Sequence, residues 1–157
     1  MISHPEAEIL AVPGRPETYT RRKEIIDSLN LEVKRFATIV HPDVKIGIEC
    51  SIGRNVLIMA YVVLTSNVTL GDHIVLLPPS IVSHGTVIND YTLVGSNVSI
   101  SGNVIVGSNS YIGTGAKIIQ EITIGEQALV GLGSVVIKTV RPRTTVAGNP
   151  AEELKKR

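Results

Sequence analysis

The chain has 157 residues, of which 43% are apolar and 18% charged, enough to bury the core of one domain. Its formal net charge of +1 argues against partners such as nucleic acid or an anionic membrane surface. The sequence has no apolar run of about eighteen residues and no signal peptide, so we expect no membrane insertion and a cytoplasmic location. The single cysteine, Cys50, excludes an internal disulfide.

Residues 1–39 precede any regular repeat and predict a short strand followed by a helix. Ile9–Val12 has the composition of a buried strand, and a proline and a glycine follow it. A helix is expected over Glu17–Leu31, directly after Pro16, because its aliphatic residues recur on one face. A strand and a helix are too little for an independent domain. We therefore expect this segment to pack on the open end of the structure that follows.

From Val40 to Arg141 the sequence repeats every six residues through seventeen hexads. The first position is always Ile, Leu or Val, the fifth is small or β-branched, and the second is Gly in eight hexads. An α-helix would spread a six-residue period around its surface. Three hexads instead make one triangular turn, with positions one and five facing inward and glycines helping at the corners. The repeat predicts an all-β fold, a prism-shaped parallel β-helix of hexapeptide repeats.

The last part of the chain, residues 142–157, is expected to be an exit and a charged tail. Pro142 should end the coils because proline cannot donate to a backbone ladder. A helical turn is expected over Glu152–Arg157. Basic residues gather at this end, and they form either a solvated tail or a site for nucleotide phosphates. They are Lys138, Arg141, Arg143, Lys155, Lys156 and Arg157.

Candidate chemistry rests on the histidines, because the sequence has no phosphate-binding loop, no paired cysteines and no serine-nucleophile elbow. His41 is interpreted as structural. His73 and His84 occupy the fourth and third positions of their hexads, so both should point away from the interior. Residues one coil apart stack on the same face, which places Ser66 before His84 and Gly102 after it. Two such small residues leave a groove beside an outward imidazole.

Four stretches resemble the bacterial sugar O- and N-acetyltransferases, the family of sialic acid O-acetyltransferase and the UDP-4-amino-sugar N-acetyltransferases. They are Ile81–Ile88, Ser101–Val104, Val130–Val136 and Gly148–Ala151. The resemblance implies that the β-helix of residues 40–141 is left-handed, against the usual right-handed crossover rule. It also implies that residues 1–39 are a remnant of the family's amino-terminal sugar-nucleotide domain.

The same resemblance implies the activity. The donor would be acetyl-coenzyme A, and His84 would be the general base that takes a proton from a sugar amine or hydroxyl. The acceptor would be an amino sugar or a nucleotide-linked sugar, no metal would be required, and a homotrimer would share each site between neighbouring prisms. Candidate donor-binding residues are Leu93, Gly102, Thr114, Gly131, Leu132 and, toward the phosphates, Lys138.

The chain departs from the family pattern in three ways. The family usually follows the histidine with Glu or Asp, whereas this chain has Gly85. A second family histidine, at the donor site, matches Leu93. The first part of the sugar-nucleotide domain, with its glycine-rich acceptor loop, has no counterpart. The donor side is therefore better supported by the resemblance than the acceptor side.

Two other functions share this fold. A non-catalytic trimeric scaffold would bind coenzyme A without turnover. A zinc enzyme of the γ-carbonic anhydrase type needs three histidines, two of them close in sequence, and the spacings between His41, His73 and His84 do not suit it. Outward aliphatic residues should mark the trimer interface. They are Val63, Leu77, Ile81, Leu93 and Ile105.

Overall fold

The computed structural model describes residues 6–154. The described N-terminal segment contains an α-helix, α1 (Arg22–Asp27), between 3₁₀ helices at Tyr19–Arg21 and Val33–Arg35. The described residues also form nineteen short strands. They are β1 (Ile39–Val40), β2 (Lys45–Ile46), β3 (Ser51–Ile52), β4 (Leu57–Ile58), β5 (Val63–Leu64), β6 (Thr69–Leu70), β7 (Val75–Leu76), β8 (Ile81–Val82), β9 (Val87–Ile88), β10 (Leu93–Val94), β11 (Ser99–Ile100), β12 (Ile105–Val106), β13 (Tyr111–Ile112), β14 (Lys117–Ile118), β15 (Thr123–Ile124), β16 (Leu129–Val130), β17 (Val135–Val136), β18 (Thr145–Gly148) and β19 (Ala151–Glu153).

The strands of the repeat form because the sixth and first positions of each hexad pair with the same positions one coil later. Leu93 and Val94, for example, pair in parallel with Tyr111 and Ile112. The ladders build sheets of eight, six and five strands, and only the β18–β19 pair of the eight-stranded sheet is antiparallel. The all-β fold and the parallel coil of hexapeptide repeats predicted from the sequence are confirmed.

The interior of the prism is filled by the first and fifth positions, as the repeat predicts. First-position side chains from Ile58 to Val136 are at most 2% exposed. Several fifth positions are polar, and their hydroxyls donate to backbone carbonyls fifteen residues later, in the next coil. Ser80 donates to the Gly95 carbonyl at 2.9 Å and Ser110 to the Gly125 carbonyl at 3.0 Å. These bonds let small polar residues occupy the core without an unsatisfied group.

The corners of the prism are turned at the fourth position of the hexad, where the backbone is left-handed. Asn103, for example, has a φ of 56° and Gly85 has a φ of 66°. The expectation that the second-position glycines turn the corners is wrong, because none of them has a positive φ. They are needed for close approach instead. A Cβ at Gly113 would lie 2.6 Å from the backbone nitrogen of Leu132 in the next coil.

The N-terminal segment is less regular than its sequence predicts. The expected strand Ile9–Val12 is reduced to one parallel bridge between Ile9 and Phe36. The expected helix Glu17–Leu31 is α-helical only over Arg22–Asp27. It ends early because Asn30 adopts a left-handed φ of 49°, a conformation that terminates helices.

This segment packs along a side of the prism, and the prediction that it covers the open end is wrong. It follows the corner between the five- and eight-stranded sheets, called here the docking edge, which consists of Asn55, His73, Tyr91, Asn109 and Gln127. The Asn55 amide exchanges two bonds of 2.7 Å with the backbone of Ala11, and the Tyr19 hydroxyl donates to the Gln127 carbonyl at 2.9 Å. The segment thus spans most of the length of the coil.

Arg22 is the centre of this contact. Its side chain is fully buried, and its guanidinium donates to the carbonyls of Pro13, His73 (2.6 Å) and Tyr91 (3.0 Å). Burial lowers the pKa of Arg22 to about 10, so it still carries its charge at neutral pH. One cation therefore ties the N-terminal segment to two successive coils.

The sequence predicts that the coil ends at Pro142, and this prediction is wrong. Val140 pairs with Ile124, sixteen residues earlier, so the last turn is two residues shorter than the others. That shift moves Pro142 out of a strand and into a corner, where it has no ladder bond to donate. Strand β18 then pairs with β16, and β19 folds back on β18. The described start of the tail, residues 152–154, is extended rather than helical, and residues 155–157 lie outside the described chain.

Candidate active site

The predicted site residues lie on two edges of the prism and on a third surface. His84, Gly102 and Lys138 belong to the corner between the six- and five-stranded sheets, called here the histidine edge. Thr114 and the adjoining pair Gly131–Leu132 belong to the corner between the eight- and six-stranded sheets, called here the glycine edge. The six-stranded sheet separates the two edges. One chain alone does not bring these two groups together.

His84 is exposed, and its imidazole lies directly over Gly102. A Cβ built on Gly102 would lie 2.5 Å from both Cε1 and Nε2 of His84, so any other residue there would force the imidazole to move. The backbone of His84 is held by the coils on either side, since Asn103 donates to the His84 carbonyl at 2.8 Å and Gly85 donates to the Ser66 carbonyl at 3.1 Å. The missing side chain of Gly102 therefore leaves the space that the imidazole of His84 occupies. The sequence had assigned the space above Gly102 to a donor groove.

The space beside Gly85, where an acidic side chain would lie, is already occupied. Its corner conformation is one that other residues adopt at the same position of the hexad, so the backbone does not require glycine there. A Cβ at Gly85, however, would lie 2.2 Å from Oδ1 of Asn103. The Asn103 side chain thus occupies the space in which the family's acidic residue would begin.

A groove runs along the six-stranded face beside the histidine edge. Its cavity of about 340 Å³ is lined by Ser99, Ser101, Lys117, Ile119, Val135 and Ile137, among others. Ser101, Ile119 and Ile137 precede Gly102, Gln120 and Lys138 directly in the chain. The sequence analysis missed these residues, although the eighteen-residue spacing that placed Gly102 beside His84 would have found them. The groove is lined mainly by apolar side chains, with Lys117 among them, and Lys138 follows the lining residue Ile137 in the chain.

The glycine edge has a smaller cavity of about 180 Å³. Thr114, Gly131 and Leu132 line it together with Pro16 and Tyr111, among others. Three of the predicted donor-binding residues therefore share one pocket, and the N-terminal segment contributes a wall. Leu132 is 81% exposed, so a large apolar side chain stands free at the rim.

Leu93 lies away from both edges, on the outer face of the eight-stranded sheet. It is only 8% exposed because Tyr19 of the N-terminal segment packs against it. It lines a cavity of about 360 Å³ together with Val12, Arg15 and Tyr111, among others. The prediction that Leu77 and Leu93 stand exposed for a trimer contact is wrong, because the chain's own segment covers this face. Of the others, Ile81 and Ile105 are 45% and 48% exposed, and Val63 is partly buried.

His73 points away from the interior, as predicted, but the N-terminal segment covers it. Its ring stacks on Tyr91 at 4.6 Å and meets Phe36 edge-on at 5.1 Å. Its Nδ1 lies 2.9 Å from Nδ2 of Asn55. The two bonds to Ala11 fix the orientation of the Asn55 amide, so Nδ2 must be the donor and Nδ1 of His73 the acceptor. The docked segment therefore requires a neutral imidazole.

Acidification is expected to loosen the N-terminal segment. Burial lowers the pKa of His73, and the partial opposing effects of Asp72 and Asp90 do not restore it. The undocked ring, with an ordinary value near 6.5, binds a proton more readily. The contribution of His73 to the docking free energy is thus fully present above about pH 6.5, and it is lost as the pH falls from there through the lowered pKa of the docked state.

The measurement is amide hydrogen exchange of helix α1 (Arg22–Asp27) at about pH 7.5 and about pH 5.5, corrected for intrinsic rates. His73→Phe keeps the aromatic stack but cannot be protonated, and Tyr91 shows that a ring tolerates the same corner backbone. Protection of α1 should fall with pH in the native chain and stay constant in His73→Phe. Equal pH dependence in both proteins would contradict the assignment.

Within residues 6–154, no three His, Cys, Asp or Glu side chains come together in a way that could hold a metal ion. Among the same residues, no helix is long and apolar enough to cross a bilayer.

Comparisons with known proteins agree with this fold. The model of the bacterial transferase hexapeptide family (six repeats) matches residues 85–120, which include Gly102 and Thr114. No curated protein sequence matches the chain. Solved structures do. WeeI from Acinetobacter baumannii is 32% identical, with a TM-score of 0.80 over 87% of this chain and 67% of its own.

Two further structures are similar. The acetyltransferase domain of PglB from Neisseria gonorrhoeae is 28% identical, with a TM-score of 0.80 over 87% of this chain and 67% of its own, and it has also been solved with acetyl-coenzyme A. A perosamine N-acetyltransferase variant from Caulobacter crescentus, bound to CoA and GDP-perosamine, shares the fold at 22% identity, with a TM-score of 0.82 over 88% of this chain and 66% of its own. The chain spans about two thirds of the length of these structures. It belongs to the hexapeptide-repeat family of bacterial sugar acetyltransferases.

Proposed function

We propose that the chain transfers an acetyl group from acetyl-coenzyme A to the amine of a nucleotide-linked amino sugar, with His84 as the general base. The observation that carries the proposal is the exposed imidazole of His84, which lies over Gly102, and Gly102 directly follows Ser101, a residue that lines an apolar groove. Similar proteins support the substrates, since PglB was solved with acetyl-coenzyme A and the Caulobacter enzyme with CoA and GDP-perosamine. A cytoplasmic location belongs to the proposal, because acetyl-coenzyme A is found there.

The reaction needs one group that first accepts a proton from the amine and then donates it to the leaving thiolate. Neutral His84 takes a proton from the sugar amine as the nitrogen attacks the thioester carbonyl. The oxyanion that forms is stabilised by a backbone N–H of the site, and its collapse breaks the carbon–sulfur bond. The imidazolium then gives its proton to the departing thiolate. The products are the amide and coenzyme A, and no proton is left on the enzyme.

The donor fits the groove of the six-stranded face. An extended pantetheine arm can lie along the apolar side chains of Ile119 and Ile137, with its thioester at His84. Its phosphates would then reach Lys138, which lies three coils beyond His84 on the histidine edge. A phosphate and a lysine ammonium form a charge-assisted hydrogen bond.

A homotrimer completes this site. The histidine edge and the glycine edge lie at opposite margins of one face, so the edges of one chain cannot both contact the same coenzyme. In a cyclic trimer, the glycine edge of a neighbour, with Thr114, Gly131 and Leu132, would close the groove beside His84. The exposed Ile81 lies on the six-stranded face between the edges, where such a neighbour would cover it.

Lys138→Ala is expected to weaken coenzyme A binding about tenfold, and more at low salt than at high salt, because exposed charges are screened. Titration calorimetry at two salt concentrations measures this. Arg141→Ala is the matched control. Arg141 is already paired with Glu153 at 2.6 Å, so its loss should change the affinity less. A larger effect for Arg141 than for Lys138 would place the phosphates elsewhere.

The proposed activity is tested by thiol release from acetyl-coenzyme A in the presence of nucleotide-linked amino sugars. We expect at least one acceptor to accelerate the release and to become acetylated on nitrogen. Coenzyme A binding with no acceptor-dependent release across the panel would favour the non-catalytic scaffold instead. An O-acetylated product would correct the choice of the amine.

A further inference from the structure

The N-terminal segment and the outer face of the eight-stranded sheet share the cavity of about 360 Å³ that Leu93 lines, called here the Leu93 cavity. The segment contributes Val12 and residues 14–16. Four successive strands contribute their first residues, which are Leu57 of β4, Val75 of β7, Leu93 of β10 and Tyr111 of β13. At the glycine edge the cavity reaches Leu77 and Gly95.

The lining of the Leu93 cavity suits a hydrocarbon chain better than a sugar. Of the described residues that line it, Arg15 and Tyr111 alone carry polar side-chain atoms. The backbone N–H groups of Leu93 and Gly95 are already used, since they donate to carbonyls of the next coil at 3.0 Å and 2.8 Å. A sugar ring brings several hydroxyls, and each would lose its hydrogen bonds to water without a replacement.

The Leu93 cavity adjoins the pocket that holds three of the predicted donor-binding residues. Pro16 and Tyr111 line both the Leu93 cavity and the cavity of about 180 Å³ at the glycine edge. A ligand that enters beside Thr114, Gly131 and Leu132 therefore borders directly on the Leu93 cavity.

The height of each residue along the prism follows from its number, because one coil has eighteen residues. His84 comes seven residues after Leu77 and eleven before Gly95, so it lies between them in height. Lys138 follows Gly131 by the same seven residues, three coils further along. In a cyclic trimer of parallel prisms, residues of equal height face one another. A donor with its phosphates at Lys138 and its thioester at His84 would thus place the acyl end at the Leu93 cavity of the neighbouring chain.

We propose that the Leu93 cavity binds the acyl chain of the donor, so that the protein transfers acyl groups longer than acetyl in addition to acetyl. This inference rests on the proposed function and its trimer. An acetyl group ends beside the thioester, whereas a propionyl or butyryl chain continues into the cavity. The reaction itself is unchanged. The amine nitrogen bonds to the acyl carbonyl carbon, the carbon–sulfur bond breaks, and the amine proton passes through His84 to the thiolate.

Butyryl-coenzyme A is expected to bind about tenfold more tightly than acetyl-coenzyme A, because burial of each added methylene contributes about fourfold. Titration calorimetry measures both affinities. Leu77→Phe fills the cavity from the prism and Val12→Phe fills it from the segment, so each should reduce the ratio of the two affinities to about one. Ile39→Phe is the matched control. Ile39 is 48% exposed and pairs with Leu57 on the same sheet, but it does not line the cavity, so this variant should keep the tenfold ratio.

The transferred group gives a second readout. With the acceptor that accelerates thiol release from acetyl-coenzyme A, mass spectrometry should also find the butyryl amide, and less of it in Leu77→Phe and Val12→Phe. Acetyl transfer with no gain in affinity for butyryl-coenzyme A would overturn this inference and leave the proposed function in place. A weaker acceptor in both filled variants, with the ratio of donor affinities kept, would assign the cavity to the acceptor and would also overturn it. Binding of neither thioester would remove the proposed function as well.

Discussion

Replacing His84 with alanine is expected to lower kcat for acetyl transfer by about a hundredfold or more, the usual scale for a general base. The affinity for coenzyme A should change little, because the imidazole acts on the acceptor amine rather than on the donor's phosphates. Removal of the ring exposes Gly102 but should not disturb the coil. The backbone of His84 is held by bonds to Ser66 through Gly85 and to Asn103, and these do not involve the side chain.

Two variants make this measurement specific. His84→Asn keeps a polar side chain of smaller size over Gly102 but cannot act as a base at neutral pH, so its kcat should fall as far as that of His84→Ala. His41→Asn is the matched control. His41 is also exposed, but it lies at the start of the coil, where its Nδ1 accepts from the backbone of Asp43 at 3.1 Å. Its loss should leave kcat unchanged.

Full activity in His84→Ala would remove this residue from the mechanism. A loss of coenzyme A affinity equal to the loss in kcat would also contradict the assignment, since it would make His84 a donor contact. Measuring kcat and coenzyme A affinity on the same preparations separates these outcomes. Thermal unfolding of each variant shows whether the coil is intact.

The β-helix could be predicted almost strand by strand, because its determinant is local and periodic. Each coil uses the same hexad positions. Because Ile58 faces the interior, Leu76 and Val94, which lie one and two coils later, are predicted to face it too. The outward placement of His84 and its position beside Gly102 follow from the same period. The site was predictable to the extent that it is built on the repeat.

The predictions that were wrong concern residues whose contacts do not follow the repeat. Burial of Leu93 depends on Tyr19, a residue 74 positions earlier, and no period connects them. The shift that moves Pro142 into a corner comes from a turn two residues shorter than the rest, which the apolar pattern hides because Val140 faces inward in either alignment. The position of the N-terminal segment and the shortening of the last turn both depend on packing. The period of the sequence predicts neither of them.

Loss of the Arg22 side chain is expected to have the largest effect on stability. Arg22→Met keeps much of the volume, but it removes the donors that satisfy the carbonyls of Pro13, His73 and Tyr91. Leaving buried polar partners unpaired is strongly destabilising, and we expect the docking of the N-terminal segment to weaken by about 3 kcal/mol. The prism should stay folded, because its core cluster is separate from the one that contains Tyr19.

Hydrogen exchange resolves the two parts. In Arg22→Met, protection of helix α1 should fall by about a hundredfold, which corresponds to about 3 kcal/mol, while the strands of the prism keep their protection. Arg21→Met is the matched control, since Arg21 is exposed and paired only with Glu24 at 3.1 Å, and such surface pairs contribute little. If both variants lost the same protection, the buried guanidinium would not be what holds the segment. Arg22→Lys adds an intermediate case. A single ammonium keeps the charge but lacks the planar fork that reaches three carbonyls at once, so it should recover only part of the loss.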